Sequence, residues 1–301
     1  MMRFIIIIGY ISSSLLSYSQ ERASFFKPLD SLNSKRLNTV LISEASLITG
    51  GLLALNQLWY SDFEQSNFRT INDSGEWRQL DKFGHVYATY QLSRLSADAF
   101  KWSGLSKERS NLYGSISSYT FMTAIEVFDG FSQEWGFSWY DMAANTLGTG
   151  LYLGQEYLWN EQRILLKYSF NRSEFASLNP SKLGDVFTEE LFKDYNGQTY
   201  WLSFNLFSFT QSEFFPKWLN VAVGYGAEGM LAGRSSVQLA EFNQNERYTQ
   251  FYFSLDVDLT RIQTNSHFLK TIFSLVNMLK IPFPTLEINT SNGRNLQWQW
   301  Y

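Results

Sequence analysis

The chain has 301 residues, a formal net charge of −4 and no cysteine. Disulfides, thiolate metal sites, a cysteine nucleophile and lipid attachment at a cysteine are therefore excluded for this sequence. No run of Lys or Arg makes a basic stripe, so nucleic acid is not an expected partner. Aromatic residues make up 18% of the sequence, and Trp and Tyr, apolar rings with one polar tip, suit a membrane–water interface.

The first twenty residues, MMRFIIIIGYISSSLLSYSQ, carry one Arg, an apolar stretch and then small residues, the layout of a secretory signal. Ser17 and Ser19 satisfy the small-x-small cleavage rule, so residues 1–20 are expected to be a signal peptide and the protein to be exported to the periplasm or outer membrane of a Gram-negative cell. Two regions follow. Helical spacing of apolar residues prevails up to about residue 165, and alternation with period two prevails after it. The expected fold class is α+β: a helical bundle over residues 21–165, then an antiparallel strand-rich region over residues 166–301 that is associated with the outer membrane.

Four helices are expected in the first region. Residues 37–60 are long enough to cross a hydrocarbon layer, although Glu44 and Asn56 sit awkwardly in lipid. The second helix covers Leu80–Trp102, after a turn containing DSGEW; the third covers 110–128 and the fourth 138–159. The fourth carries Ala144-xxx-Gly148 and Gly150-xxx-Gly154, small residues four apart that allow another helix to approach closely. In the second region, strands are expected at 199–209, in WLNVAVGYGAEGM, in RYTQFYFSLDVDL, in TLEIN and in RNLQWQWY. The last two are joined by a Ser291-Asn292-Gly293 turn, and a helix is expected over 267–280. Five strands are fewer than the eight of the smallest independent membrane barrel.

Scarce polar residues share helix faces. Asp81 and His85 are four apart, and Ser115, Ser118, Met122 and Glu126 form one stripe. Asp141, Asn145 and Gly148 form another. Asp81 also suits an N-cap, and Ser138-x-x-Asp141 a capping box. Glu126 stands among Phe121, Ile125, Val127 and Phe128, where a buried, unpaired carboxylate would cost several kcal/mol; Lys82, His85 and Asn145 are its available partners.

The pattern DKFGH, then EVFDGFSQEWGFSWYDMAANTLGTG about forty residues on, resembles an uncharacterised envelope family typified by the small YfiM lipoprotein. More distantly it is similar to the VanZ-like membrane proteins. The matching residues are Asp81, Lys82, His85, Glu126, Asp129, Gly136, Ser138, Trp139, Asp141, Asn145 and Gly148. The lipidated cysteine of that family is missing here, and the resemblance ends near residue 160. It implies an envelope location and no established reaction.

Three functions compete. In the first, Asp81, Lys82, His85, Glu126, Asp129, Trp139, Asp141 and Asn145 bind a polar headgroup or glycan, or fix the bundle, while the strands dock on the outer membrane. The second is an envelope lipid or glycan hydrolase. There Glu126 or Asp141 is the base, His85 the acid or a metal ligand, Asp81 the group that orients the imidazole, and Lys82 an oxyanion donor. One His with several carboxylates would hold Mg²⁺ or Ca²⁺ better than zinc. The third is a β-rich component of an outer-membrane transport or assembly complex, with its strands completed by an envelope protein partner. The expected partners are thus envelope lipids or such a protein.

Overall fold

The computed structural model describes residues 25–60, 64–244, 246–291 and 295–300. The expected signal peptide and most of the Ser291-Asn292-Gly293 turn lie outside the described residues. The architecture is α+β, a helical region followed by an antiparallel sheet.

Helix α1 (Ser34–Leu55) starts where the Asn33 side chain accepts the Arg36 N–H, and it runs on into a π-turn over Asn56–Tyr60. Among the described helices it alone is long and apolar enough to cross a membrane. Its acid is answered, because Ser117 Oγ donates to Glu44 at 2.6 Å. Helices α2 (Leu80–Trp102), α3 (Lys107–Gly130) and α4 (Trp139–Trp159) pack with α2 in the middle. Gly114 of α3 lies on the α2 backbone at Ser93 and Ala97, and Gly148 of α4 lies on it at Val86, so a Cβ at either would collide. Gly150 and Gly154 face open space. Only the first of the two small-residue pairs therefore packs a helix. The buried stripes of these helices are rich in Ser, Thr, Gln and Asn, whereas Leu112, Ile116, Leu147 and Leu158 are exposed.

The sheet is a meander of six strands in sequence order: β1 (Ile164–Phe170), β2 (Gln198–Asn205), β3 (Leu219–Glu228), β4 (Tyr248–Val257), β5 (Pro284–Asn289) and β6 (Asn295–Trp300). That is one strand more than the five expected. The additional strand is β1, ILLKYSF, an apolar run directly after a helix. The strand expected at 199–209 stops at Asn205, whose side chain accepts the Ser208 N–H at 2.9 Å and starts a short helix, Leu206–Thr210. Helix α5 (His267–Val276) is shorter than the expected 267–280. Its last expected residues instead pair with the open edge of β1: Tyr168 N–H donates to Met278 O, and Lys280 N–H to Tyr168 O.

Register sorts the sheet into two faces. Lys167, Trp201, Gly224, Tyr252 and Glu287 follow one another across one face, and Leu166, Leu202, Val223, Phe253 and Leu286 across the other. The polar face is the buried one. Asn205, Asn220, Ser254, Asp256, Thr285 and Glu287 are buried, whereas Phe251, Phe253 and Leu255 are 45%, 47% and 45% exposed. The sheet curls around its polar side so tightly that Lys167 of β1 meets Asp256 of β4 at 2.8 Å, although three strand spacings of about 4.8 Å would separate those strands in a flat sheet.

Helices and sheet share their core. Tyr90, Ala97 and Tyr152 pack with Leu166, and Leu80 packs with Ala227 and Met230. The turn leading into α2 is left-handed at three successive residues, Trp77, Arg78 and Gln79, at a cost of roughly 1–2 kcal/mol each. The sheet side holds it there. Trp77 N–H donates to Gly233 O, Tyr225 Oη–H to Arg78 O, and Arg78 Nη2 to Arg247 O.

Candidate functional site

The first turns of α2 and α4 and the last turns of α3 converge on one spot. A short parallel bridge, Thr70–Ile71 against Phe137–Ser138, brings the turn before α2 alongside the start of α4. Ser138 caps α4, its Oγ accepting from Asp141 N–H at 3.1 Å and donating to Asp73 at 2.7 Å. The backbone N–H of Ser138, which the third residue of a capping box would usually take, donates instead to Glu126 Oε2 at 3.2 Å. Asp141 is thereby left free to turn inward. Asp81 is not an N-cap. It is the second residue of α2, and the cap position belongs to Gln79, which makes no side-chain cap.

Lys82 Nζ lies at 2.5 Å from Asp73, 2.7 Å from Asp81 and 2.8 Å from Asp141. Beside it, His85 Nε2 is 3.6 Å from Glu126 Oε1 and 3.7 Å from Asp141 Oδ1, while His85 Nδ1 is 3.1 Å from Asn145 Oδ1. Tyr60 Oη–H donates to Asp129 at 2.7 Å. Glu126 is 1% exposed, and its Oε1 has no hydrogen-bond partner. A cavity of about 220 Å³ opens next to the group and is lined by Asp73, Asp81, His85, Asp129, Asp141 and Tyr195, among others.

Five carboxyls face one lysine and one imidazole, and their proton affinities are spread accordingly. Burial lifts Glu126 to about 9, with Asp141 and Asp129 adding repulsion. Burial likewise lifts Asp129 to about 7, against the hydrogen bond from Tyr60. Asp81 rises to about 6 because burial outweighs the ammonium of Lys82. Burial also raises Asp141 despite His85 and Lys82. Asp73 goes the other way: burial is overcome by hydrogen bonds from Lys82 and Ser138, which hold it below the usual carboxylate range. Against its own burial, Lys82 is held above its ordinary value by Asp81 and Asp141. The phenol of Tyr60 is pushed up by burial and by Asp129. A water-poor site with surplus acid favours a positive ligand, and its raised carboxyls can hold or release protons near neutrality.

Of the residues expected from sequence, Asp81, Lys82, His85, Glu126, Asp141 and Asn145 come together, with Asp129 at the cavity wall. Trp139 does not join them. It is 68% exposed, because two residues before Asp141 means about 200° around the helix. Asp73, Tyr60 and Tyr195 were missed. Asp73 looked like an ordinary turn acid in NDSGEW, and neither tyrosine lies in a motif.

The match to known families falls on this same stretch. Residues 71–155 match the family described as a predicted periplasmic lipoprotein (DUF2279). The DUF2279 segment runs from the bridge strand at Ile71 through α2 and α3 into α4, and it holds all five carboxyls, Lys82 and His85. Its description agrees with an exported envelope protein of uncharacterised family; the 301 residues contain no cysteine to carry a lipid. No curated protein matches the chain, and no solved structure does.

Proposed function

We propose that the protein is a lipid-associated component of the outer membrane that offers its acidic cavity to a polar headgroup or glycan. One observation carries the lipid contact: the sheet buries Gln250, Ser254 and Asp256 of β4 and exposes Phe251, Phe253 and Leu255. In water the hydrophobic effect favours the opposite arrangement; against acyl chains this one is favoured, as on the outer face of membrane barrels. Support comes from α5, whose Phe268, Leu269, Ile272 and Leu275 are exposed, and from α1, of which only Val40 is buried. A hydrolase is the second reading, favoured by the position of His85 between Glu126 and Asp141 at the cavity.

Fractionation with Phe253→Lys tests the lipid contact. Wild type is expected in the outer-membrane fraction and to need detergent for extraction. A lysine at a lipid-facing strand position costs about 2–4 kcal/mol, so the variant should lose most of its membrane-fraction yield, whereas a solvent-exposed site would tolerate it within about 0.5 kcal/mol. A wild-type protein that stays monomeric in buffer without detergent, with Phe253→Lys equally abundant, overturns the reading.

A further inference from the structure

We infer that His85, Glu126 and Asp141 form a binding site for a hard divalent cation, with Glu126 Oε1, His85 Nε2 and Asp141 Oδ1 as ligands and open positions toward the cavity. One ligand atom from each of the three side chains lies within 4.8 Å of the other two. The imidazole nitrogen is 3.6 and 3.7 Å from the two oxygens, close to the separations of neighbouring ligands around an ion with bonds of about 2.1–2.5 Å. A second trio, Asp73, Asp81 and Asp141, also meets the spacing. Its centre is already taken by the Lys82 ammonium, so it offers no cation site.

The deciding feature is the state of the ligand atoms. Glu126 Oε1 is buried and unpartnered, and it points at His85 Nε2. Asn145 Oδ1 faces both His85 Nδ1 and the Thr89 hydroxyl. In the tautomer that carries its proton on Nδ1, which Asn145 Oδ1 accepts, the Nε2 lone pair is aimed at Glu126 and Asp141. Once Glu126 gives up its proton, these three electron-rich atoms around one point suit a positive charge between them, so uptake of the ion releases a proton. Two of the ligands are also fixed on their remote side, the imidazole by Asn145 and Glu126 by the Ser138 N–H on Oε2, whereas Lys82 contacts Asp141 Oδ1 itself, the oxygen that an ion would share with the ammonium. Outer contacts of this kind set the orientation of metal ligands. Two carboxylates and one imidazole form an oxygen-rich set suited to Mg²⁺, Ca²⁺ or Mn²⁺. Asp129 and Asp81 at the cavity wall add negative charge around it, and water or an anionic group of a bound ligand would complete the coordination.

This site stands on the cluster alone, so it can fail while the lipid contact holds, and the reverse. The test is titration of the purified full-length protein in detergent, stripped with chelator, with Mn²⁺ followed by electron paramagnetic resonance and with Ca²⁺ and Mg²⁺ followed by calorimetry. One ion per chain is expected, bound at least tenfold more weakly by Glu126→Gln and by Asn145→Ala, and unchanged by Asp98→Asn, an exposed acid elsewhere on α2. The chain has only two histidines, so a second readout needs no variant. Mn²⁺ should broaden the imidazole ¹⁵N signals of His85 at stoichiometric concentration and leave those of His267 sharp. No uptake of any of the three ions at 1 mM overturns the inference. So does binding that Glu126→Gln leaves unaltered, or Mn²⁺ that broadens both histidines alike.

Discussion

The helical region and the sheet both put polar groups inside and apolar groups outside, but they treat those polar groups differently. In the sheet, the buried Asp256 is answered by a base. Lys167 Nζ reaches Asp256 at 2.8 Å and Val257 O at 2.7 Å, and Asp256 also accepts from Ser203 Oγ at 2.6 Å. In the helical cluster, acids outnumber bases, and one oxygen of Glu126 is left without a hydrogen bond. A matched interior specifies structure. An unmatched one, beside a cavity, is poised for something that arrives from outside.

The largest effect expected from that contrast is on stability. Lys167→Met would take from the fully buried Asp256 its ion-pair partner and leave it only hydrogen bonds such as that from Ser203, at a cost of about 3–5 kcal/mol. The double variant Lys167→Met, Asp256→Leu should recover most of it. Glu126→Gln, measured in chelator, should cost under about 1 kcal/mol, since the amide oxygen can still accept from Ser138 N–H and an unanswered acid is removed. Denaturant unfolding in detergent checks all three. Equal losses for Lys167→Met and Glu126→Gln would erase the distinction between the two interiors.

A pH dependence sharpens it. Burial lowers Lys280 from 10.5 to about 8, with Lys167 adding to the shift and Asp256 opposing it. Its ammonium donates to Leu255 O and Ile281 O and lies 5.1 Å from the Trp201 ring. The unfolded chain binds this proton more tightly, so the folded state is penalised in full below about pH 8, and the penalty fades as pH rises toward 10.5. Lys280→Met should therefore be more stable than wild type at pH 7, and the gap should narrow between pH 8 and 10.5. Comparing the two proteins cancels the other groups that titrate there. A gap that stays constant, or widens, would mean that the sheet interior is wetter than its packing implies.

Third in size is the helix contact. Gly114→Ala and Gly148→Ala each push a methyl into the α2 backbone and should cost about 1–3 kcal/mol, seen as a lower melting temperature. A neutral outcome at both would mean that the three helices are not held at this spacing.

Helical period and i,i+4 spacing made much of this legible. Asp81 with His85, and Asp141 with Asn145, could be placed on shared faces, and Glu126 stood out because a buried acid must be answered. Asp73 could not be found that way, since it reaches the site through a turn and the two-residue bridge to Ser138. Trp139 sat inside the motif and misled, because neighbours in sequence diverge around a helix. In the sheet, alternation gave the two faces of each strand, but not which face turned inward. That depends on what surrounds the molecule. Strand β1 was hidden because the partner of Lys167 lies 90 residues further along the chain.

The smallest effect probes the outer side of α4. Gly150 and Gly154 have no neighbour within 4 Å, and they continue a stripe that includes the exposed Leu147 and Leu158. If acyl chains alone cover this stripe, Gly150→Ala and Gly154→Ala should each stabilise the protein by about 0.5–1 kcal/mol, because alanine favours the helix and nothing opposes its methyl. If an envelope protein partner packs there instead, the glycines permit its close approach, and the same substitutions should weaken co-purification while still raising the melting temperature of the isolated chain. Measuring both quantities separates the alternatives, since a methyl group that meets only lipid has no means of changing which proteins come with it.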